Sequence, residues 1–192
     1  PYVYQGEELG MANAPFTALE QFRDVESLNH HVHAVSAGAD AADVLAALRV
    51  MSRDNARTPV QWDASPNAGF TTGTPWIAVN PDSAEWNAAA QRDDPTSVFA
   101  HHRRLVALRH DDPVVALGDF TMLLPEHDEL YAFTRSLDGA TLLVVCNLGA
   151  SAHLLGELLP DAVGAELVLG NLADDGDPGV LRPWEARVLR PR

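Results

Sequence analysis

Two arginines four residues apart, Arg53 and Arg57, sit in the run Arg53-Asp54-Asn55-Ala56-Arg57-Thr58-Pro59-Val60-Gln61-Trp62. A guanidinium is a planar fork of donors that suits carboxylates and pairs of adjacent hydroxyls. An indole beside it suits the apolar face of a sugar ring. Pro59 stops helix continuation, so the two forks lie at the end of a helical stretch or in a loop. Two readings are open on this chemistry. The run is a turn pinned by a surface Arg–Asp pair, which contributes only about 0–1 kcal/mol, or it is a binding loop.

Other chemistry-bearing groups read more plainly. Glu7 and Glu8 follow Gln5-Gly6 at the end of a short apolar run, a place for a site or simply the acidic first turn of a helix. The histidines of Leu28-Asn29-His30-His31-Val32-His33 and the pair His101-His102 read as solvated or packing residues rather than metal ligands. Asp174-Asp175-Gly176-Asp177 loosely resembles a calcium loop, lacks the closing Glu and reads as a solvated turn. No metal or cofactor is expected. Cys146, the lone cysteine, lies in Leu142-Leu143-Val144-Val145-Cys146 and reads as a buried, inert thiol.

Acids outnumber bases 27 to 13, giving a formal net charge of −14. That balance argues against nucleic acid and anionic membrane surfaces as partners and leaves an uncharged ligand open. Apolar residues make up 46% and charged ones 21%, as in globular domains. No apolar run approaches the roughly 18 residues of a membrane span. Every base is arginine, a compositional bias before it is a functional one. The opening Pro1-Tyr2-Val3-Tyr4, without Met, reads as the middle of a buried strand and the chain as a fragment.

Residues 1–4 are expected as a strand, 17–31 and 39–51 as helices, and 52–86 as an ordered irregular loop carrying Trp62, Phe70, Trp76 and Trp86. Long ordered loops in compact domains tend to serve function. In this loop the rings of Trp62, Phe70 and Trp76 are expected to pack rather than bind sugar. The clearest helix starts at Asp94-Pro95-Thr96 and ends near Asp112, before Pro113. Beyond Gly118, six short strand-like stretches at 120–124, 130–135, 141–147, 152–159, 166–169 and 180–189 are separated by turn residues, the pattern of a small antiparallel sandwich.

Three motifs then occur in order: Tyr4-Gln5-Gly6-Glu7-Glu8-Leu9-Gly10-Met11, the run from Arg53 to Trp62, and Asn67-Ala68-Gly69-Phe70-Thr71-Thr72-Gly73-Thr74-Pro75-Trp76. Together they resemble the C-terminal third of an α-glucosidase of the oligo-1,6-glucosidase type, in the α-amylase superfamily (glycoside hydrolase family 13). The resemblance implies an α+β fragment. Residues 1–112 would be the last strand, long excursion and last helix of a (β/α)8 TIM barrel, and residues 113–192 an all-β antiparallel sandwich. It implies a cytoplasmic, retaining, exo-acting enzyme on α-1,4 or α-1,6 bonds of a glucose-containing oligosaccharide. It places no catalytic carboxylate in this chain; those belong to a missing N-terminal barrel portion of the same protein.

By the same resemblance, Arg57 contacts the hydroxyls of the non-reducing glucose, and Arg53 braces the loop through Asp54 or Glu7, with a direct substrate contact the lesser alternative. Val60 stands where relatives commonly carry Met. The motifs are shared by trehalose-phosphate hydrolases, sucrose hydrolases and, in large part, trehalose-forming isomerases. A non-catalytic ancillary or sugar-binding protein on the same fold is the alternative from another class.

Overall fold

The computed structural model describes residues 2–173 and 175–192. They form two compact units, one ending at Ala100 and one spanning His101–Arg192.

In the first unit, residues 2–4 belong to no strand and are exposed; Pro1 lies outside the described residues. The strand expected there is absent from the described residues because a lone extended segment has no neighbouring strand to satisfy its amides and carbonyls. A 3-10 turn at Glu7–Leu9 follows. The helix expected over 17–31 begins later, as α1, Val25–Ser36. Before it, the Gln21 side chain accepts from the amides of Thr17 and Ala18 at 2.6 and 2.9 Å, a local alternative to helical bonding. Asp24 then caps α1 by accepting from the Ser27 amide. The second helix, α2, is Ala41–Met51, capped by Asp40 through the amides of Ala42 and Asp43. Leu28 of α1 and Leu45 and Leu48 of α2 join Ala14, Phe16, Phe22 and Ile77 in one core.

From Ser52 onward the chain runs through short turns, with 3-10 segments at Arg53–Arg57, Pro66–Gly69 and Pro81–Ala84. Asn67, Ala68 and Gly69 all have positive φ. Asn67 holds this left-handed bend by donating to the carbonyls of Thr71 and Gly73. A Cβ at residue 69 would lie 2.7 Å from the Asp63 carboxylate, and φ there is +66°, so glycine is favoured at this position. Packing of this loop falls to Val60, Ala68 and Ile77, all buried. Trp62, Phe70 and Trp76 are 54%, 50% and 64% exposed, so these three rings do not pack the loop in this chain as expected. Polar bonds do much of that work: Gln61, fully buried, donates to Asp82 Oδ1 at 2.8 Å and to the Trp86 carbonyl at 2.6 Å. A short helix, α3, Ala88–Arg92 follows.

The helix α4, Val98–Asp111, matches the expected stop before Pro113. The second unit takes up its C-terminal part. Asp112 caps the next short helix, α5, Pro113–Leu117, and also meets Arg190 at 2.8 Å. The strands are β1 Asp119–Leu123, β2 Leu130–Leu137, β3 Ala140–Asn147, β4 His153–Leu154, β5 Glu166–Gly170, β6 Val180–Leu181 and β7 Ala186–Arg190. One sheet runs β1-β2-β3-β7-β5 and a two-stranded ladder pairs β4 with β6, every pairing antiparallel.

Period-two alternation builds the layers. On β3, Leu143 and Val145 face a core with Leu130, Ala132, Leu155, Leu181 and Leu189, while Leu142 and Val144 turn to the face holding Leu108, Val114 and Val188. The stretch expected as a strand over 152–159 is mostly α6, Leu155–Leu158. Its leucines at 155 and 159 are both buried, a helical spacing rather than an alternating one. The stretch over 180–189 is two strands, because Pro183 and Trp184 turn the chain between them. Trp184 has φ 59° and the Glu185 amide closes the turn onto the Arg182 carbonyl. Of the acidic turn, Asp174 lies outside the described residues; Asp175 pairs with Arg182 and Asp177 accepts from the Gly179 amide.

Candidate functional site

The chemistry of the first unit converges on Asp24. Its Oδ1 accepts from Arg53 Nη2 at 3.0 Å and from Arg57 Nη1 at 3.1 Å. Its Oδ2 accepts from the Ser27 hydroxyl at 3.1 Å as well as the Ser27 amide. The carboxylate is 6% exposed. Burial pushes its pKa upward, but Arg57, then Arg53 and Ser27, outweigh that and hold it below the usual carboxylate value.

Asp54 supports this arrangement from beneath. It is fully buried, and its Oδ2 accepts from the backbone amides of Arg23 at 2.6 Å and Asp24 at 2.8 Å. Among the described residues its Oδ1 has no hydrogen-bond partner, and it lies 3.7 Å from Arg57 Nη1. Ser52 closes the network: its hydroxyl accepts from the Asp54 amide at 3.2 Å and meets the Ser27 hydroxyl at 2.9 Å. One end of α1 and the end of α2 are thereby tied together by side chains.

Both sequence-derived site residues are in this network. Arg53 is 57% exposed along its side chain and pairs with Asp24 and, at 2.6 Å, with Glu26. Its acidic partners are therefore on α1 and its cap, not Asp54 or Glu7, because the 3-10 turn directs it toward the start of α1. Glu7 instead accepts from the Tyr4 amide. Arg57 is 35% exposed. Among the described residues only its Nη1 is met by an acceptor, which leaves Nε and Nη2 as donors for a ligand.

A cleft of about 650 Å³ opens beside the network, lined by Asp24, Glu26, His30, His33 and Arg53 among others. Glu26, His30 and His33 share one face of α1 by their spacing. Arg57 is not part of the cleft wall and borders it through Asp24. Reading the residues alone missed Asp24 and Glu26. The available signal was an acid at a helix start followed three residues later by Ser27, which predicts a cap but not the two distant arginines. Among the described residues no three of His, Cys, Asp and Glu group so as to hold a metal ion.

The arrangement offers fixed, partly exposed guanidinium donors next to an open cleft of mixed polar and apolar lining, a constellation for binding hydroxyl-rich or acidic ligands. Residues 1–118 match the family model of the α-amylase catalytic domain. The chain is 40% identical over 200 residues to an oligo-1,6-glucosidase of Parageobacillus thermoglucosidasius, covering 100% of this chain and 35% of that protein. It is 42% identical over 197 residues to the trehalose-6-phosphate hydrolase of Bacillus subtilis strain 168, covering 99% and 35%. Among solved structures, a variant of the trehalulose synthase of Pseudomonas mesoacidophila MX-45 in complex with its substrate sucrose superposes with a TM-score of 0.88 at 39% identity, covering 100% of this chain and 35% of that one. The chain belongs to the α-amylase family. It spans about a third of the length of the curated relatives it matches.

Proposed function

We propose that this chain is the sugar-recognition part of a retaining, exo-acting α-glucosidase that hydrolyses α-1,4 or α-1,6 bonds at the non-reducing end of short oligosaccharides. The observation that carries the reading is Arg57: one nitrogen is anchored on Asp24, and the remaining donors and about a third of the side chain are open. A fork held in this way can hydrogen-bond two adjacent hydroxyls of a terminal glucose. Arg53, paired with two acids, shares the Asp24 anchor.

Hydrolysis with retention needs two carboxyl groups about 5–5.5 Å apart, one attacking the anomeric carbon and one protonating the leaving oxygen before activating water. In this proposal both come from an upstream barrel portion of the same protein. Residues 1–112 complete that barrel with its last strand, excursion and helix, and residues 113–192 form the domain that follows. The described residues include no helix long and apolar enough to cross a membrane, which is compatible with a cytoplasmic enzyme.

The names of the relatives leave the reaction open between glucoside hydrolysis, trehalose-phosphate hydrolysis and isomerisation. Product analysis of the full-length protein separates them: isomaltose or maltose should yield glucose with α-configuration at first release, read by NMR. An absence of turnover on every one of maltose, isomaltose, sucrose and trehalose 6-phosphate would sink the enzymatic reading and favour a non-catalytic sugar-binding protein.

A further inference from the structure

Asp24 caps a helix, and helix capping alone does not explain its surroundings. Its Oδ1 is the common acceptor of two guanidinium groups. Two cations brought to one oxygen repel each other, and only the anion between them makes the arrangement favourable. The carboxylate in turn is fixed from two sides. The buried Asp54 holds its backbone amide, and Ser27 holds Oδ2. Both oxygens of Asp24 are therefore occupied by protein donors, and a ligand that reaches Arg57 meets the guanidinium nitrogens that Asp24 does not hold.

We infer that Asp24 is a positioning residue: it orients the Arg57 fork toward the sugar and keeps Arg53 from displacing it. This rests on the sugar-recognition reading of Arg57. Without the charge on residue 24, Arg57 has at most a neutral acceptor there, and its other acid, Asp54 Oδ1, lies at 3.7 Å, beyond hydrogen-bond distance. The guanidinium would then be free to turn toward Asp54 or solvent, and the donors facing the ligand would lose their fixed direction.

The test is Asp24→Asn in the full-length protein, with steady-state kinetics on isomaltose or maltose and a thermal melt. Asparagine caps helices as well as aspartate and has the same size, so a purely structural role predicts no kinetic change. The positioning role predicts a roughly 10- to 100-fold fall in kcat/KM, carried mainly by KM, with the melting midpoint nearly unmoved. It further predicts non-additivity: in an Arg57→Ala background, Asp24→Asn costs less than about threefold more. Unchanged kcat/KM, or losses that multiply in the double variant, would overturn the inference while leaving the reading of Arg57 standing. A silent Arg57→Ala in an active enzyme would overturn that reading and the inference with it. Should Asp24→Asn fail to fold, Asp24→Ser, another neutral cap former, takes its place; if neither folds, Asp24 is structural and the inference is wrong.

Discussion

Arg187 and Glu185, two residues apart at the start of β7, face each other through paired bonds: Arg187 Nε to Glu185 Oε1 at 2.9 Å and Nη2 to Oε2 at 3.0 Å, with both residues buried. Arg182 adds its own bonds to the same carboxylate, and Arg187 also donates to the carbonyls of Pro178 and Val180. Burial opposes the charge on Glu185, but Arg182 and Arg187 overcome it and hold the pKa down at about 2, against an ordinary 4.5. A carboxylate depressed in the folded state stabilises it above the unfolded pKa. That contribution disappears as pH falls through the folded value. Denaturant melts of the chain should therefore lose on the order of 3 kcal/mol between about pH 4.5 and pH 2 from this group. In Glu185→Gln the part of the slope owed to this residue should vanish; an identical acid profile would remove Glu185 as its source.

In the full-length protein, Arg57→Ala removes the open donors of the proposed glucose contact. Charge-assisted hydrogen bonds of this kind contribute roughly 1.5–3 kcal/mol, so kcat/KM on a disaccharide should fall by about 10- to 150-fold. Equal efficiency in the variant would place Arg57 outside the site.

Leu181 on β6 is fully buried in the core that also holds Leu143, Val145 and Leu155. Leu181→Ala should cost about 2–5 kcal/mol in equilibrium unfolding through lost burial and the cavity left behind. A cost below about 1 kcal/mol would mean that the short ladder of β4 and β6 closes over the gap.

Trp184 has φ 59° at the third position of the Arg182–Glu185 turn and is 63% exposed. Glycine adopts this conformation without the steric penalty, and little packing is lost. Trp184→Gly should raise stability by about 0.5–1 kcal/mol once the greater freedom of the unfolded chain is subtracted. A fall in the denaturation midpoint would show that the indole packs more than its exposure suggests.

The Cys146 thiol is partly buried on β3, and burial pushes its pKa up. Alkylation at neutral pH should be slow in the folded chain and fast in denaturant. Comparable rates in the two conditions would contradict the packing of β3.

Residues that report locally were legible in sequence. Pro113 marked the end of α4, and the apolar run Leu142-Leu143-Val144-Val145 marked β3. The 152–159 stretch misled because four leucines in a short run satisfy a helical and an extended pattern alike. The division of 180–189 was written in Pro183, but the positive φ of Trp184 was not, since a turn position of that kind ordinarily carries glycine. At the candidate site, the motif from Arg53 to Trp62 named both arginines. The acids that orient them lie some thirty residues upstream, and no spacing rule joins a helix cap to a later turn. Only the folded α1 and α2, brought together by Leu28, Leu45 and Leu48, put Asp24 against Arg57.

The bonds from Asp54 to the amides of Arg23 and Asp24 close a loop of the chain at its base. Everything between them, α1, α2 and the bend at residues 37–40, is a tongue whose root is fixed independently of its tip. Gly38, at that tip, has φ +97° and open space around it. Insertions or deletions at residues 37–40 would thus change the tongue's length and the rim of the cleft without moving the arginines at its root, so natural or engineered variation in reach should accumulate there.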